Sequence, residues 1–218
     1  MNKEFWSKEK QEAEDYAKVM ERNLKYDVVP LAKKIIQDIS AHDSSIKLAD
    51  MASGPGFLSI ELAKRLPKAS ITAVDFSQHM NDIAQRKAKE NNVALEVIES
   101  DVQRIDMDGE QFDVIVSKNT IGEVDNPGLF LQETLRLLKS GGRLFLIDFD
   151  GDYPDWKLRP LWFLVMVKGG RKAASGFWES HKTGFKIDDI VRMCKKAGYI
   201  QVSAEPYGFS YYVICQKG

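Results

Sequence analysis

The sequence predicts an α/β fold: a doubly wound, mainly parallel sheet of seven strands, with helices on both faces and an antiparallel C-terminal edge. Three observations point there. From residue 46 onward, short apolar or β-branched runs alternate with amphipathic segments of helical period. Two of the runs, FDVIVSK from Phe112 and RLFLIDF from Arg143, are apolar almost throughout, the pattern of strands covered on both faces. Parallel neighbours need long crossovers, which the intervening helices supply. The last two runs, YIQVSAE and SYYVICQ, have only a short link, so they are expected to finish the sheet edge as an antiparallel hairpin.

Taken in order, residues 4–40 read as helices. Phe5, Trp6, Tyr16, Val19, Met20 and Leu24 fall near helical spacing; Leu31, Ile35, Ile36 and Ile39 repeat it after Pro30, which is expected to open the second helix. His42, Asp43, Ser44 and Ser45 form a polar linker. KLADM from Lys47 is the first strand, and Ala52-Ser53-Gly54-Pro55-Gly56 turns it into the helix FLSIELAKRL. SITAV from Ser70 is the second strand, ending in Asp75, and Ser77 can cap the helix QHMNDIAQRKAKENN. Residues 95–98 make a short third strand ending near Asp101. After Asp106, Asp108 and Gly109 comes FDVIVSK, then a helix over 127–139 stopped by Gly141-Gly142, then RLFLIDF. Residues 150–184 break the rhythm and read as an insertion, with Trp156, Trp162, Trp178, Lys157, Arg159, Lys168, Arg171 and Lys172 around LWFLVMV. IDDIVRMCKKA is a final helix ended by Gly198.

Composition bounds the rest. The 218 residues, 44% hydrophobic and 29% charged, suit one domain: a helical cover (1–45), a core (46–149), the insertion (150–184) and a closing helix with two strands (185–218). A net charge of −1 does not advertise a polyanion partner. Cys194 and Cys215 are too few for a disulfide scaffold and lack zinc-site spacing, so both are expected to be reduced and buried, with no metal. The charged N-terminus lacks the apolar core of a signal peptide, and no apolar run approaches the ~20 residues of a membrane span. A cytoplasmic protein is expected.

Asp50, Asp75 and Asp101 stand at or just past the ends of the first three strands, along one edge of a parallel sheet. An acid some twenty residues beyond the glycines can accept hydrogen bonds from a ribose diol, and one near the third strand can accept from an exocyclic amine. Such an adenosine-shaped slot admits two ligand classes. Gly54-x-Gly56-x-x-Ser59 is a partial dinucleotide fingerprint, which leaves a nucleotide-linked oxidoreductase open, although no nicotinamide-facing pair follows the fourth strand. A non-catalytic binding or scaffold protein is the third reading.

The ordered series LADMASGPG, ITAVDFS, ESDV, FDVIVSKNTIGEV and LKSGGRLFLIDF resembles the successive motifs of class I S-adenosylmethionine-dependent methyltransferases, the Rossmann-like family whose small-molecule branch is called methyltransferase type 11. The resemblance covers about 47–149. It implies S-adenosylmethionine as the cofactor, with Asp50 towards its amino group and Ala52, Gly54 and Gly56 beside its methionine part. Asp75 would hold the ribose, Phe76 and Met80 would line the adenine, and Asp101 with Val102 would meet the amino edge and ring. Ser117, Lys118 and Asn119 would approach the methionine end and face the acceptor, although Lys118 by itself reads as a solvated strand-end charge. Ala52 departs from the family pattern acid-x-G-x-G-x-G, and is tolerable there if the position needs no positive φ.

A general base helps a protonated acceptor; the candidates are Glu123, Asp148, Asp150 and His181, with Tyr16 covering from the N-terminal helix, although His181 in the charged stretch ESHK reads more simply as a solvated side chain. The acceptor is expected to be a small molecule, flat or apolar with an anionic group, enclosed by aromatics and cations of the variable parts. Those parts are equally candidates for a dimer contact or a membrane surface. The fourth strand runs into Ser-Lys-Asn-Thr rather than the N/D-P-P-Y/F signature of base methyltransferases, which argues against nucleic acid.

Overall fold

The computed structural model describes residues 10–39 and 45–218. Phe5 and Trp6, and the linker residues His42, Asp43 and Ser44, lie outside them. Two helices open the described chain, α1 (Lys10–Asn23) and α2 (Val28–Ile39). α2 buries Leu31, Ala32, Ile35 and Ile39, the stripe the sequence shows, and begins two residues before Pro30, which falls in the first turn where its missing N–H costs nothing. Then follow β1 (Lys47–Met51), α3 (Phe57–Arg65), β2 (Ser70–Asp75), α4 (Gln78–Glu90), β3 (Glu96–Glu99), β4 (Phe112–Lys118) and α5 (Pro127–Leu137). The chain closes with β5 (Leu138–Phe149), α6 (Asp155–Thr183), α7 (Ile187–Ala197), β6 (Gln201–Tyr207) and β7 (Ser210–Gln216).

One sheet of seven strands runs in the order β3-β2-β1-β4-β5-β7-β6. β7 alone is antiparallel, to β5 on one side and β6 on the other. The pleat divides neighbouring side chains between two apolar layers. Leu48, Val114, Val116, Phe145 and Ile147 meet α1 to α4, while Ala49, Ile115, Leu144 and Leu146 meet α5 and α7. Cys194 and Cys215 are free and buried in the second layer. The strand order reverses at β1 and β4, which are paired up to Met51 and Ser117. The carboxyl ends of these two strands therefore flank the crevice that such sheets offer to ligands.

Two departures from the expected elements have local causes. β5 starts at Leu138 instead of Arg143, because Leu138 pairs with Phe112 across a register shift that Gly141, at φ 74°, allows. α6 is not one rod. Asp155 accepts from Lys182 at 2.7 Å and lies 3.0 Å from His181 Nε2, whereas a straight helix of that span would hold them roughly 39 Å apart. Gly170, with φ 79° and ψ 178°, breaks the helix into two antiparallel arms. The segment read as an insertion is thus a helical hairpin. No helix among the described residues is long and apolar enough to cross a membrane.

The turn after β1 depends on its last glycine. A Cβ on Gly56 would stand 2.8 Å from the Ala84 Cβ, where α3 starts against α4, and its φ is 73°. Gly54 has φ 54° but open space around it. Gly56→Ala is therefore expected to lower unfolding free energy by about 2–4 kcal/mol, combining left-handed strain with overpacking. Gly54→Ala should lose only about 1–2 kcal/mol. Urea denaturation of both variants checks the difference; equal losses would mean that the contact with Ala84 does not limit the turn.

Candidate functional site at the carboxyl edge of the sheet

Between β1 and α3 the backbone enters the left-handed region three times, at Ala52 (φ 56°), Gly54 (φ 54°) and Gly56 (φ 73°). The condition under which alanine is tolerable at residue 52, no positive φ, is not met: it stands in a conformation that costs an L-residue roughly 1–2 kcal/mol. Backbone bonds hold it there. Ser53 N–H donates to the Val74 carbonyl at 3.0 Å, and Gly56 N–H to the Ser53 carbonyl at 3.0 Å.

Asp75 ties this turn to the next. One carboxylate oxygen accepts from Gly54 N–H at 2.8 Å, the other from Ser77 N–H at 2.9 Å. Its carbonyl accepts from Asn81 Nδ2 at 3.0 Å. Each carboxylate oxygen keeps a further lone pair for a ligand hydroxyl. Burial raises the Asp75 pKa, and the backbone N–H groups of Ser77, Gly54 and Phe76 pull it back. Ser77 also caps α4 as expected, accepting from Met80 N–H.

Asp50 is buried at 1% exposure and accepts from the Ser59 hydroxyl at 2.6 Å. Burial pushes its pKa up to about 7, against the opposing Ser59 bonds. Ser59 thus faces inward to a carboxylate, which removes it as the third cradle position of a dinucleotide fingerprint. Phe76 packs against the layer beside α5 and α7, while Met80 is buried in the layer of α1 to α4. In the loop after β3, Asp101 accepts from Gln103 N–H at 3.0 Å, and Val102 is buried.

On the other flank, the buried Ser117 donates to the Met51 carbonyl at 3.0 Å, locking the ends of β4 and β1 together. Asn119 takes φ 56° and donates its N–H to Ile147. Lys118 is not the solvated strand-end charge the sequence suggests: it is 14% exposed and pairs with Asp27 at 3.0 Å, joining the sheet to the link between α1 and α2.

The candidate bases are separated by the fold. Glu123 accepts from the Ser180 hydroxyl at 3.0 Å, so the second arm of α6 leans on the loop after β4. Asp148 is buried and accepts from the N–H groups of Phe149 at 2.7 Å and Gly122 at 3.4 Å; burial raises its pKa to about 6. Asp150 accepts from Asp152 N–H. His181, expected in a solvated charged loop, is instead 1% exposed inside α6, with Nε2 on Asp155 and Nδ1 buried without a partner. Tyr16, half-buried on α1, has its pKa raised by burial and by the carboxylates of Asp27, Asp75 and Glu123. Those three belong to distant parts of the sequence and act on one phenol.

Ser59, Asn81, Asp27, Ser180 and Ser53, whose Oγ is buried without a partner, are the site residues that sequence reasoning missed or misassigned. Only Ser59 left a signal, in the glycine fingerprint. Among the described residues no His, Cys, Asp and Glu group could hold a metal ion. A concavity of about 680 Å³ is lined by residues such as Ala69, Ser70 and Glu96 at the amino ends of β2 and β3, away from this edge.

Residues 48–142 match the family model described as a methyltransferase domain. The chain is 28% identical over 179 residues to the ubiquinone/menaquinone biosynthesis C-methyltransferase UbiE of Allorhizobium ampelinum, covering 76% of this chain and 69% of that one. It is 27% identical over 169 residues to the malonyl-[acyl-carrier protein] O-methyltransferase of Priestia megaterium, covering 77% of this chain but 59% of that one. A Methanococcus maripaludis crystal structure, assigned as an S-adenosyl-L-methionine-dependent methyltransferase, superposes with a TM-score of 0.78 at 23% identity, over 96% of this chain and 93% of that one. The chain is thus similar to S-adenosylmethionine-dependent methyltransferases in its central domain match, in these relatives and in its fold.

Asp50 gives the site a pH signature. Its folded value near 7 lies above the ordinary 3.8, so the folded chain holds this proton longer than the unfolded one. The stabilisation is fully present below about pH 3.8 and is lost as pH rises through about 7. Asp50→Asn, which keeps an acceptor for Ser59, should flatten this part of the fall and raise stability at pH 8 by roughly 2–4 kcal/mol. Urea midpoints from pH 4 to 8 test this, and a less stable Asn variant at pH 8 would reverse the sign.

Proposed function

We propose that the chain transfers the methyl group of S-adenosylmethionine to a small-molecule acceptor. The donor would span the crevice above β1 and β4, and the acceptor would lie beneath α1 and the second arm of α6. The observation that carries this reading is the Asp75 carboxylate at the carboxyl edge of the sheet, bonded to Gly54 N–H in the turn 52–56 and to Ser77 N–H at the start of α4. The residues suit the donor. A Cβ at Gly54 would meet nothing within 4 Å, and Ser53 Oγ and Asn81 Oδ1 are buried beside Asp75 without partners. Asp75 would take the ribose hydroxyls and Asp50 would face the amino group. Ala52, Gly54 and Gly56 would border the methionine part, and Phe76, Met80, Asp101 and Val102 the adenine. Lys118 and Asn119 would line the methionine end, with Ser117 holding the strands beneath them.

The donor supplies an electrophilic methyl on a positively charged sulfur, so the chain has mainly to hold the acceptor in line and exclude water. Tyr16, kept protonated by burial and by the surrounding carboxylates, orients the acceptor as a hydrogen-bond donor. Glu123 takes the proton of an acceptor that arrives protonated. Asp148, through Gly122 N–H, and His181, through Asp155, position the loop and the hairpin that carry Glu123 and Ser180. The two curated relatives differ in the atom they methylate, carbon in one and oxygen in the other, so the acceptor must be read from the variable parts. There, Phe149, Phe177 and Phe209 pack with ring centroids 5.4–5.7 Å apart, Phe177 belonging to the hairpin itself, and the cations of the variable parts would meet the anionic group. A flat or apolar acceptor with an anionic group fits that wall. The chain works as a single domain in the cytoplasm, with α1, α2 and residues 150–184 closing over the donor-binding core 46–149, in keeping with its free buried cysteines.

A labelled-methyl transfer screen against a metabolite extract tests the function; no transfer, together with no calorimetric binding of S-adenosylhomocysteine, would end it. Asp75→Ala removes charged hydrogen bonds and should weaken S-adenosylhomocysteine binding by about 1–3 kcal/mol. Unchanged affinity would show that the ribose is held elsewhere. Glu123→Gln should lower kcat by about 100-fold with donor affinity preserved; a loss confined to donor affinity would instead make Glu123 part of the donor site.

A further inference from the structure

The first arm of α6 presents an apolar face that stays exposed among the described residues. Trp156 is 70% exposed, Phe163 58%, Leu164 44% and Val167 67%, four of the seven large exposed hydrophobics among the described residues. At about 100° per residue these four and the exposed Pro160 fall within a sector roughly 100° wide, a continuous stripe along one side of the arm. The stripe is not a loose end. The base of the hairpin is fixed by the buried Leu158 and Ala174, by Phe177 on Phe149, and by Asp155 on His181 and Lys182. The arm is therefore held with its apolar side outward.

Charge selects what covers it. From Trp156 to Trp178 the sequence carries Lys157, Arg159, Lys168, Arg171 and Lys172 and no acidic residue, in a chain whose net charge is −1. Lys157 and Arg159 are exposed and flank the stripe on opposite sides, and the Lys157 ammonium lies 5.5 Å over the Trp156 ring. A second copy docking stripe to stripe would bring two such cation sets together, because a two-fold interface meets itself. A polyanion alone would leave the apolar stripe in water. An apolar stripe edged by cations, with tryptophan at its end, matches a surface that is apolar within and anionic at its boundary.

We propose that the first arm of α6 docks on the surface of an anionic phospholipid bilayer, lying in the headgroup plane with Trp156, Phe163, Leu164 and Val167 inserted. The proposal is independent of the donor-site reading. Its test is flotation of the full chain with vesicles of phosphatidylglycerol and phosphatidylcholine, followed by tryptophan fluorescence. Binding is expected on these vesicles, at least tenfold weaker on pure phosphatidylcholine, and falling with added salt. Lys157→Gln should lower partitioning about fivefold, and Phe163→Glu or Val167→Glu should abolish it. All three should retain the native affinity for S-adenosylhomocysteine, which separates loss of docking from loss of the donor site. Any of three results would overturn the proposal: no binding of the native chain to anionic vesicles, binding that these substitutions leave unchanged, or a dimer in sedimentation that Phe163→Glu dissolves.

Discussion

The carboxylate of Asp75 joins two turns that would otherwise be independent. Gly54 N–H belongs to the turn after β1, Ser77 N–H to the start of α4, and both donate to this side chain. Each is a backbone donor in a water-poor crevice, and a buried donor left without a partner costs about 1–3 kcal/mol. The bond to Gly54 keeps the turn in its left-handed path, and that path starts α3 where Gly56 can pass Ala84. Burial raises its pKa, and the N–H groups of Ser77, Gly54 and Phe76 oppose that rise. One side chain thus holds both turns at the edge of the crevice.

A second set of contacts brings distant sequence to this edge. Lys118 reaches Asp27 from the end of β4, Ser180 reaches Glu123 from α6, and Tyr16 stands where the carboxylates of Asp27, Asp75 and Glu123 are felt. The N-terminal helices and the hairpin are therefore built against the site from two directions. The Lys118–Asp27 pair has one half-exposed member, so its net stabilisation is no more than about 1 kcal/mol. Its service is geometric: it sets where α1 stands over the sheet.

The sheet was legible because its strands are buried on both faces and its helices carry caps, such as Ser77 and Gly198, that local sequence encodes. The closing hairpin followed from the short link between two apolar runs. What sequence could not give was partnership across the chain. Ser59 meets Asp50 nine residues away, a spacing shared by many unrelated pairs, and Asp27 meets Lys118 with no pattern to announce it. His181 looked solvated because its neighbours in sequence are charged, yet the break at Gly170 folds that stretch back onto Asp155 and buries the ring. The start of β5 was missed for a similar reason, since the pairing of Leu138 with Phe112 is a tertiary fact.

Ala52 shows how a departure from a family motif can be absorbed. Its φ of 56° costs roughly 1–2 kcal/mol relative to glycine's freedom there. Its methyl, however, packs against the apolar layer beside α5 and α7, away from the open space at Gly54. Burying one methyl returns about 0.8 kcal/mol, and alanine avoids the backbone entropy that a glycine would lose on folding. The two sides nearly balance. The alanine is thus a packing solution behind the turn rather than an obstruction in front of it, and the bond from the Gly54 amide to the Asp75 carboxylate is kept.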